Sequence, residues 1–261
     1  MVALLELAAL GWRVLGYLVT VMYTVGMYTR ILLKLSGEQL QGNLAGGIDA
    51  ERVKWIANQL RMVVAAGTQV VVVVGGGNYA RGSQLAGNGI GQVTAHNTGM
   101  LATIMNASVV ADIFNAEHVP TVALSSIEVN QFVDQYTHRR AEHHLGKGRV
   151  VIIGGGIGRP FLTTDTAAVN LALEMDCEVV IKTTKVDGVY NADPNKDPTA
   201  RKYDRISYQE ALNNPNITVM DKAAIGLAME EDKPVIICDL LTDGNIGRAV
   251  AGEQIGTLIT L

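Results

Sequence analysis

Five consecutive valines, residues 70–74, run without a polar interruption into Gly75-Gly76-Gly77-Asn78. A strand with one wet face alternates apolar and polar residues. An unbroken run therefore predicts a strand covered on both faces, as in a parallel sheet with helices on each side. The three glycines leave backbone N–H groups unshielded by any Cβ, so the main chain there can approach an anion closely. A helix opening just beyond would aim its positive end at the same point, and Arg81 can add a cation. Gly75-x-Gly77-x-x-Ala80 also fits a dinucleotide-binding turn. That site needs an acid about 20 residues on, where this chain has Ala95-His96-Asn97-Thr98.

Four further segments carry chemistry in a fixed order. Lys34-Leu35-Ser36-Gly37-Glu38 closes the apolar strand Ile31-Leu32-Leu33 and puts a lysine beside a glycine at a strand end. Gly154-Gly155-Gly156-Ile157-Gly158-Arg159-Pro160 follows the apolar run Val150-Val151-Ile152-Ile153 and leads into Thr163-Thr164-Asp165, the start of a helix over residues 166–174. Lys182-Thr183-Thr184-Lys185-Val186-Asp187-Gly188-Val189-Tyr190 contains an Asp-Gly pair, which predicts a hairpin turn, and is followed by Asp193-Pro194. Val219-Met220-Asp221 opens another helix. The pattern Gly-x-x-x-x-Gly-Lys-Ser/Thr is absent, which excludes an ordinary P-loop.

Strands and helices alternate along the chain. Asp49 is a good N-cap and Gly67 a good stop for a helix between them, and Ser207-Tyr208-Gln209-Glu210 forms a capping box. The expected fold is α/β, a three-layer αβα sandwich with a mainly parallel sheet. At 261 residues and 48% hydrophobic content the chain can build one large core, here expected as a single domain over residues 27–261. A net charge of −4 argues against a general nucleic-acid binder, which needs clustered positive charge. Cys177 and Cys238 both sit beside apolar β-rich runs and read as buried reduced thiols in a cytoplasmic protein. His138-Arg139-Arg140 with His143-His144 reads as a solvated helix face, and Met100 and Met105 as core residues of an apolar helix.

Residues 1–26 stand apart, because the stretch from Val2 to Thr29 carries only Glu6 and Arg13 as charges. Residues 14–29 are sixteen uncharged positions, slightly under the roughly 17–25 that span a bilayer. No positive segment precedes them, as a signal peptide would need. The expectation is an extension upstream of the true start at Met27, with an interfacial or membrane helix as the alternative.

Taken in order, these motifs resemble the bacterial uridylate kinases of the amino-acid-kinase superfamily, from Arg30 to Leu261. Gly99-Met100-Leu101-Ala102-Thr103-Ile104-Met105-Asn106, Asp193-Pro194-Asn195-Lys196-Asp197-Pro198-Thr199-Ala200 and Gly256-Thr257-Leu258-Ile259-Thr260 belong to the same likeness. The resemblance implies phosphoryl transfer from ATP to UMP, with Mg²⁺ held mainly by the nucleotide phosphates and no dedicated protein metal site. It implies that Lys34 and Lys182 act on the moving phosphoryl group, that Asp165 organises the centre, and that Asp221 helps hold Mg²⁺ or orients a lysine. It assigns Lys34, Leu35, Ser36, Gly37, Gly77, Arg81, Thr184, Tyr190 and Asp193 to ATP. Gly76, His96, Ile157, Gly158, Arg159, Pro160, Phe161, Leu162, Thr163 and Thr164 fall to UMP. A homohexamer, GTP activation and UTP inhibition are further implications.

Departures from the family cluster on the acceptor side. Ile157 and Arg159 stand where its members have Thr and Asn, and His96 where an aspartate meets the ribose. A histidine accepts at one nitrogen only, and only when neutral, so it cannot take over a carboxylate's part unchanged. Arg159 either pairs with the acceptor phosphate or points into solvent. Two alternatives therefore stay open: a kinase of the same superfamily with another acceptor, and a nucleotide-binding storage protein like the molybdenum storage proteins.

Overall fold

The computed structural model describes residues 28–79, 89–192, 194 and 196–261. The extension expected over residues 1–26, the helix expected directly after the tri-glycine, Arg81 and Asp193 lie outside the described residues.

Along the chain run β1 (Arg30–Leu35), α1 (Gly37–Gln41), α2 (Ala50–Ala65), β2 (Gln69–Val74), α3 (Gln92–Ala116), β3 (Thr121–Ser125) and β4 (Asp134–Gln135). They are followed by α4 (His138–Leu145), β5 (Val150–Gly154), α5 (Thr164–Glu174), β6 (Val179–Thr184), β7 (Val189–Tyr190), β8 (Lys202–Tyr203) and β9 (Arg205–Ser207). Last come α6 (Tyr208–Asn213), α7 (Lys222–Glu230), β10 (Val235–Asp239), α8 (Asn245–Val250) and β11 (Thr257–Thr260). The main sheet has the order β4-β3-β5-β2-β1-β6-β10-β11-β9. Its pairings are parallel except β10 with β11, which turns the last two strands of that edge against the rest.

The valine run is the fourth of the nine strands, next to the central β1, and its side chains divide between two cores. Val70, Val72 and Val74 join Ile56 and Leu60 of α2 and Val110 and Phe114 of α3. Val71 and Val73 join Ala168 and Ala172 of α5 and Ala228 of α7. Burial on both faces removes any need for polar alternation, hence the unbroken run. The three expected layers are present.

The same alternation places a charge. In β1, Ile31, Leu33 and Leu35 face the α2 side and Leu32 the α5 side, so Lys34 emerges towards α5. In the parallel β1–β6 register Lys34 lies opposite Lys182, so both lysines leave the sheet on one face. The chain departs from β1 to build the β2 side and later returns to build the β6 side. Such a reversal opens a crevice beyond the carboxyl ends of the central strands, where α/β sheets bind ligands.

Helix signals were read correctly where they are local. Asp49 accepts from the backbone N–H of Glu51 and Arg52, and Gly67, at φ 93°, follows the end of α2. Ser207 caps α6 through Glu210 N–H. Cys177 and Cys238 are buried free thiols, each pushed up to about 12 by burial. Three local readings need correction. Asp187-Gly188 does not form a hairpin between β6 and β7: β7 pairs with β8, and the Asp187 carboxylate instead accepts from Tyr190 and Lys202. The helix expected over residues 166–174 starts earlier, at Thr164, so that Asp165 lies in its first turn and Thr163 caps it by accepting from Asp165 N–H. Met100 and Met105 are not core: Met100 lines a cavity and Met105 is exposed on the outer face of α3.

Candidate active site

At the switch point the Asp165 carboxylate bridges two ammonium groups. Its Oδ1 lies 2.7 Å from Lys34 Nζ and its Oδ2 2.5 Å from Lys182 Nζ, with all three side chains nearly excluded from solvent. Lys182 also donates to the Val219 carbonyl. Burial raises the Asp165 pKa, but the two ammonium charges outweigh it and hold the carboxyl below its ordinary value. Burial lowers Lys182 to about 8, the Lys34 charge acts in the same direction, and Asp165 opposes both. Two cations and one anion leave a net positive centre in a dry setting, which suits an incoming polyanion.

Asp165 is free to do this because Thr163 has taken the capping role. Asp221 performs the matching service for α7. It accepts from Ala224 N–H at 2.8 Å, and it receives the hydroxyls of Thr163 and Thr166. Among the described residues it bonds to neither lysine. It ties the first turns of α5 and α7 together behind the centre.

The tri-glycine lies directly beside the lysine strand. Gly75 N–H donates to the Leu35 carbonyl at 2.8 Å, and a Cβ on Gly37 would come within 2.7 Å of Gly77 N and 2.4 Å of Asn78 Oδ1. A Cβ on Gly76 would meet the Gly99 carbonyl at 2.7 Å and Ala102 at 2.9 Å. Bare glycine is thus a packing requirement on both sides of this turn. Behind it, two buried amides interlock. Asn106 donates to Gly75 O and to Asn78 Oδ1, both at 2.7 Å, while Asn78 donates to Asn106 Oδ1 at 2.9 Å and to Gly47 O at 2.8 Å. Thr103, one helical turn earlier on α3, accepts from Gly155 N–H at 2.7 Å. One helix therefore holds both glycine loops.

Between α3 and the β5–α5 loop lies a cavity of about 310 Å³ lined by Gly76, His96, Met100, Gly156, Leu162 and Thr164, with Thr163 and Thr103 beside them. Of the residues the resemblance assigned to UMP, Gly76, His96, Leu162, Thr163 and Thr164 meet here. Phe161 packs against the His96 ring at 5.0 Å between centroids. Ile157 is turned away, packed on the apolar core of the α5 side. Gly158 closes a turn onto Gly155 O, Pro160 is half-buried, and Arg159 is exposed without an ion pair among the described residues.

On the donor side, Ser36 is engaged with α1: its hydroxyl accepts from Gln39 N–H and its own N–H donates to Gln39 Oε1. The Leu35 side chain lies in the core, leaving only its backbone near the site. Thr184 donates to Val186 O, and Tyr190 to Asp187 Oδ1 at 2.6 Å, at the start of the small β7–β8 sheet. Lys185, close in sequence to Lys182, pairs instead with Glu38 at 3.1 Å.

The profile of the amino acid kinase family matches residues 29–239. The chain belongs to this family. Among solved structures, a UMP kinase from Bacillus anthracis is 36% identical, with a TM-score of 0.85 over 89% of this chain and 96% of its own. A UMP kinase from Ureaplasma parvum is 29% identical at a TM-score of 0.83, covering 89% of this chain and 99% of its own. The uridylate kinase of Archaeoglobus fulgidus is 30% identical at 0.68, covering 88% and 99%.

For this member of the amino acid kinase family, sequence reasoning missed Gln39, Asn78, Thr103, Asn106 and Thr166 as parts of the site's frame. Gln39 is buried, receives the Thr183 hydroxyl at 2.8 Å and donates to the Thr184 carbonyl at 3.2 Å, locking α1 to β6. A usable signal was present in Thr103 and Asn106. Polar residues inside an apolar helix must be hydrogen-bonded once buried, so each implies a partner loop.

Proposed function

We propose that this protein is a uridylate kinase, transferring the terminal phosphoryl group of ATP to UMP to give UDP and ADP. The observation that carries the reading is the buried Lys34–Asp165–Lys182 bridge, set between two glycine loops at the carboxyl ends of one sheet. Its likeness to the UMP kinases supports the choice of acceptor.

In this reading Lys34 and Lys182 neutralise the charge that develops as the phosphoryl group moves, and Asp165 fixes both ammonium groups before substrate arrives. An oxygen of the UMP phosphate forms the new bond to the terminal phosphorus, and the bond to the bridging oxygen of ADP breaks. The acceptor oxygen is already anionic, so no general base is required. Asp165 is held by two lysines and Asp221 by three donors, so both carboxylates are already engaged. A Mg²⁺ ion would accordingly sit on the nucleotide phosphates, where it supplies further charge neutralisation. ATP would use Gly37, Gly77, Thr184 and Tyr190, and UMP the cavity between α3 and the β5–α5 loop. The remaining parts of the proposal rest on resemblance: a homohexameric, cytoplasmic enzyme of pyrimidine nucleotide supply, activated by GTP and inhibited by UTP.

ADP release measured over a panel of nucleoside monophosphates and small acids tests this reading. UMP-selective turnover is expected. Turnover of another acceptor, or ATP binding without transfer, would overturn it. Asp165→Asn should reduce kcat at least about a hundredfold, the scale of losing one preorganised electrostatic contact, with the secondary structure retained in circular dichroism.

A further inference from the structure

Phe161 is out of place in its backbone. Four non-glycine residues among those described have positive φ. His118, Asp176 and Asp232 each lie two positions beyond the last residue of α3, α5 or α7, where a left-handed residue commonly ends a helix. Phe161, at φ 69°, has no such excuse: it lies in the loop before α5, ahead of the Thr163 cap. A bulky residue there is a steric outlier, and such outliers persist where the surroundings hold them for a purpose.

What holds it is His96. The two rings are 5.0 Å apart, within the centroid range favoured for aromatic pairs, and tilted by 53°. His96 projects from the first turns of α3 and lines the cavity, whereas Phe161 directly precedes Leu162 of the opposite wall and is 60% exposed. Their contact spans the two walls. Leu162, Thr163 and Thr164 follow directly on the loop side and line the same cavity.

We propose that His96 and Phe161 form a ring-to-ring clasp across the mouth of the acceptor cavity and that this clasp sets the size of base admitted, favouring a one-ring over a two-ring nucleotide. The proposal rests on the acceptor assignment made above. Phe161 and His96 act here as positioning residues, holding the loop wall against the helix wall. In the clasp His96 acts through its ring contact with Phe161.

Steady-state kinetics with UMP, AMP and GMP as acceptors test the clasp in wild type, His96→Ala, His96→Phe, Phe161→Gly, Phe161→Ala and the double His96→Ala/Phe161→Ala. His96→Ala and Phe161→Ala should each raise the KM for UMP about fivefold, the scale of one aromatic pair, with kcat little changed and measurable turnover of AMP or GMP appearing. The double variant should be no worse than either single one, and His96→Phe, which keeps a ring, should recover most of the KM lost in His96→Ala. Phe161→Gly should lose the same acceptor affinity yet melt at a higher temperature than Phe161→Ala, because glycine relieves the backbone. Wild-type protein without UMP turnover would overturn the acceptor assignment and the clasp together. Wild-type turnover with unchanged KM in His96→Ala and Phe161→Ala, strictly additive effects, or His96→Phe as impaired as His96→Ala would overturn the clasp alone.

Discussion

The pH behaviour of this site turns on Lys182. Its pKa of about 8, set by burial and by the neighbouring Lys34 charge, means that the ammonium is lost in free enzyme just above neutrality. If the charge is what stabilises the moving phosphoryl group, kcat/KM, which reports free enzyme, should fall as pH rises through about 8. In the nucleotide complex the phosphates favour the charged form, so kcat should hold to higher pH. Stability moves the other way. Lys182 binds its proton less readily folded than unfolded, so its penalty is fully present below about pH 8 and fades as pH climbs towards 10.5. Asp165 has the opposite sign: its folded pKa lies below 3.8, so its contribution is complete above that value and is lost as pH falls through the folded pKa. A pH–rate profile alongside denaturant midpoints on both sides of pH 8 checks this. A kcat/KM flat across that range would remove Lys182 from the charge-stabilising role.

At the scale of elements, the geometry depends on how α3 and α7 are fastened to the glycine loops and to α5. The Asn78–Asn106 pair uses all four of its amide hydrogens, on each other's side-chain oxygens and on the Gly47 and Gly75 carbonyls. Asn106→Leu would take the Asn106 donor from the Gly75 carbonyl and leave the Asn78 side chain with its bond to the Gly47 carbonyl alone, at about 1–3 kcal/mol for each buried group left short of a partner. A loss of roughly 2–4 kcal/mol in urea unfolding, with a raised KM for nucleotide, is the expected outcome. A stability loss with wild-type KM would make the pair structural only. Asp221→Ala removes the α7 cap and the partner of two hydroxyls, and should cost about 1–2 kcal/mol by the same measurement, with Asp221→Asn restoring most of it. These fastenings explain what was legible in the sequence and what was not. Lys34, Asp165 and the two glycine loops were readable because strand ends, helix starts and bare glycines are local patterns. Asn106, Thr103 and Gln39 act on segments remote in sequence: a polar residue inside the apolar α3 implies some partner, but no local pattern records which loop it is. Asp187-Gly188 failed for the same reason: Tyr190, Lys202 and Thr257, which accepts from Val189 N–H, decide the path of that segment over its turn propensity.

For the whole molecule, the layered sheet was legible because double-sided burial leaves unbroken apolar runs, whereas the outer surface of α3 was misread. Its inner face carries Thr103, Asn106, Val110 and Phe114, yet Leu101, Met105 and Val109 repeat at helical spacing on the other side and are exposed, Leu101 and Met105 by 52% and 51%. Phe132, 83% exposed, lines a hollow with Ser108 of the same helix. The apolar character once assigned to a core is therefore divided between a core and a bare face. Water contact over such a patch is unfavourable by about 25 cal/mol per Å² of apolar surface, and bare apolar patches of this kind mark protein contacts. A second copy of the chain is the occupant that fits the proposed homohexamer. Met105→Glu, which places a charge in the middle of the stripe at a residue that does not line the cavity, should shift the protein to a smaller species in sedimentation velocity. Because Asn106 and Thr103 hold the glycine loops from the opposite side of the same helix, loss of assembly should also raise the KM for nucleotide. An unchanged sedimentation coefficient would remove this face from the assembly, and dissociation without any kinetic change would show that α3 holds the loops without help from a neighbour.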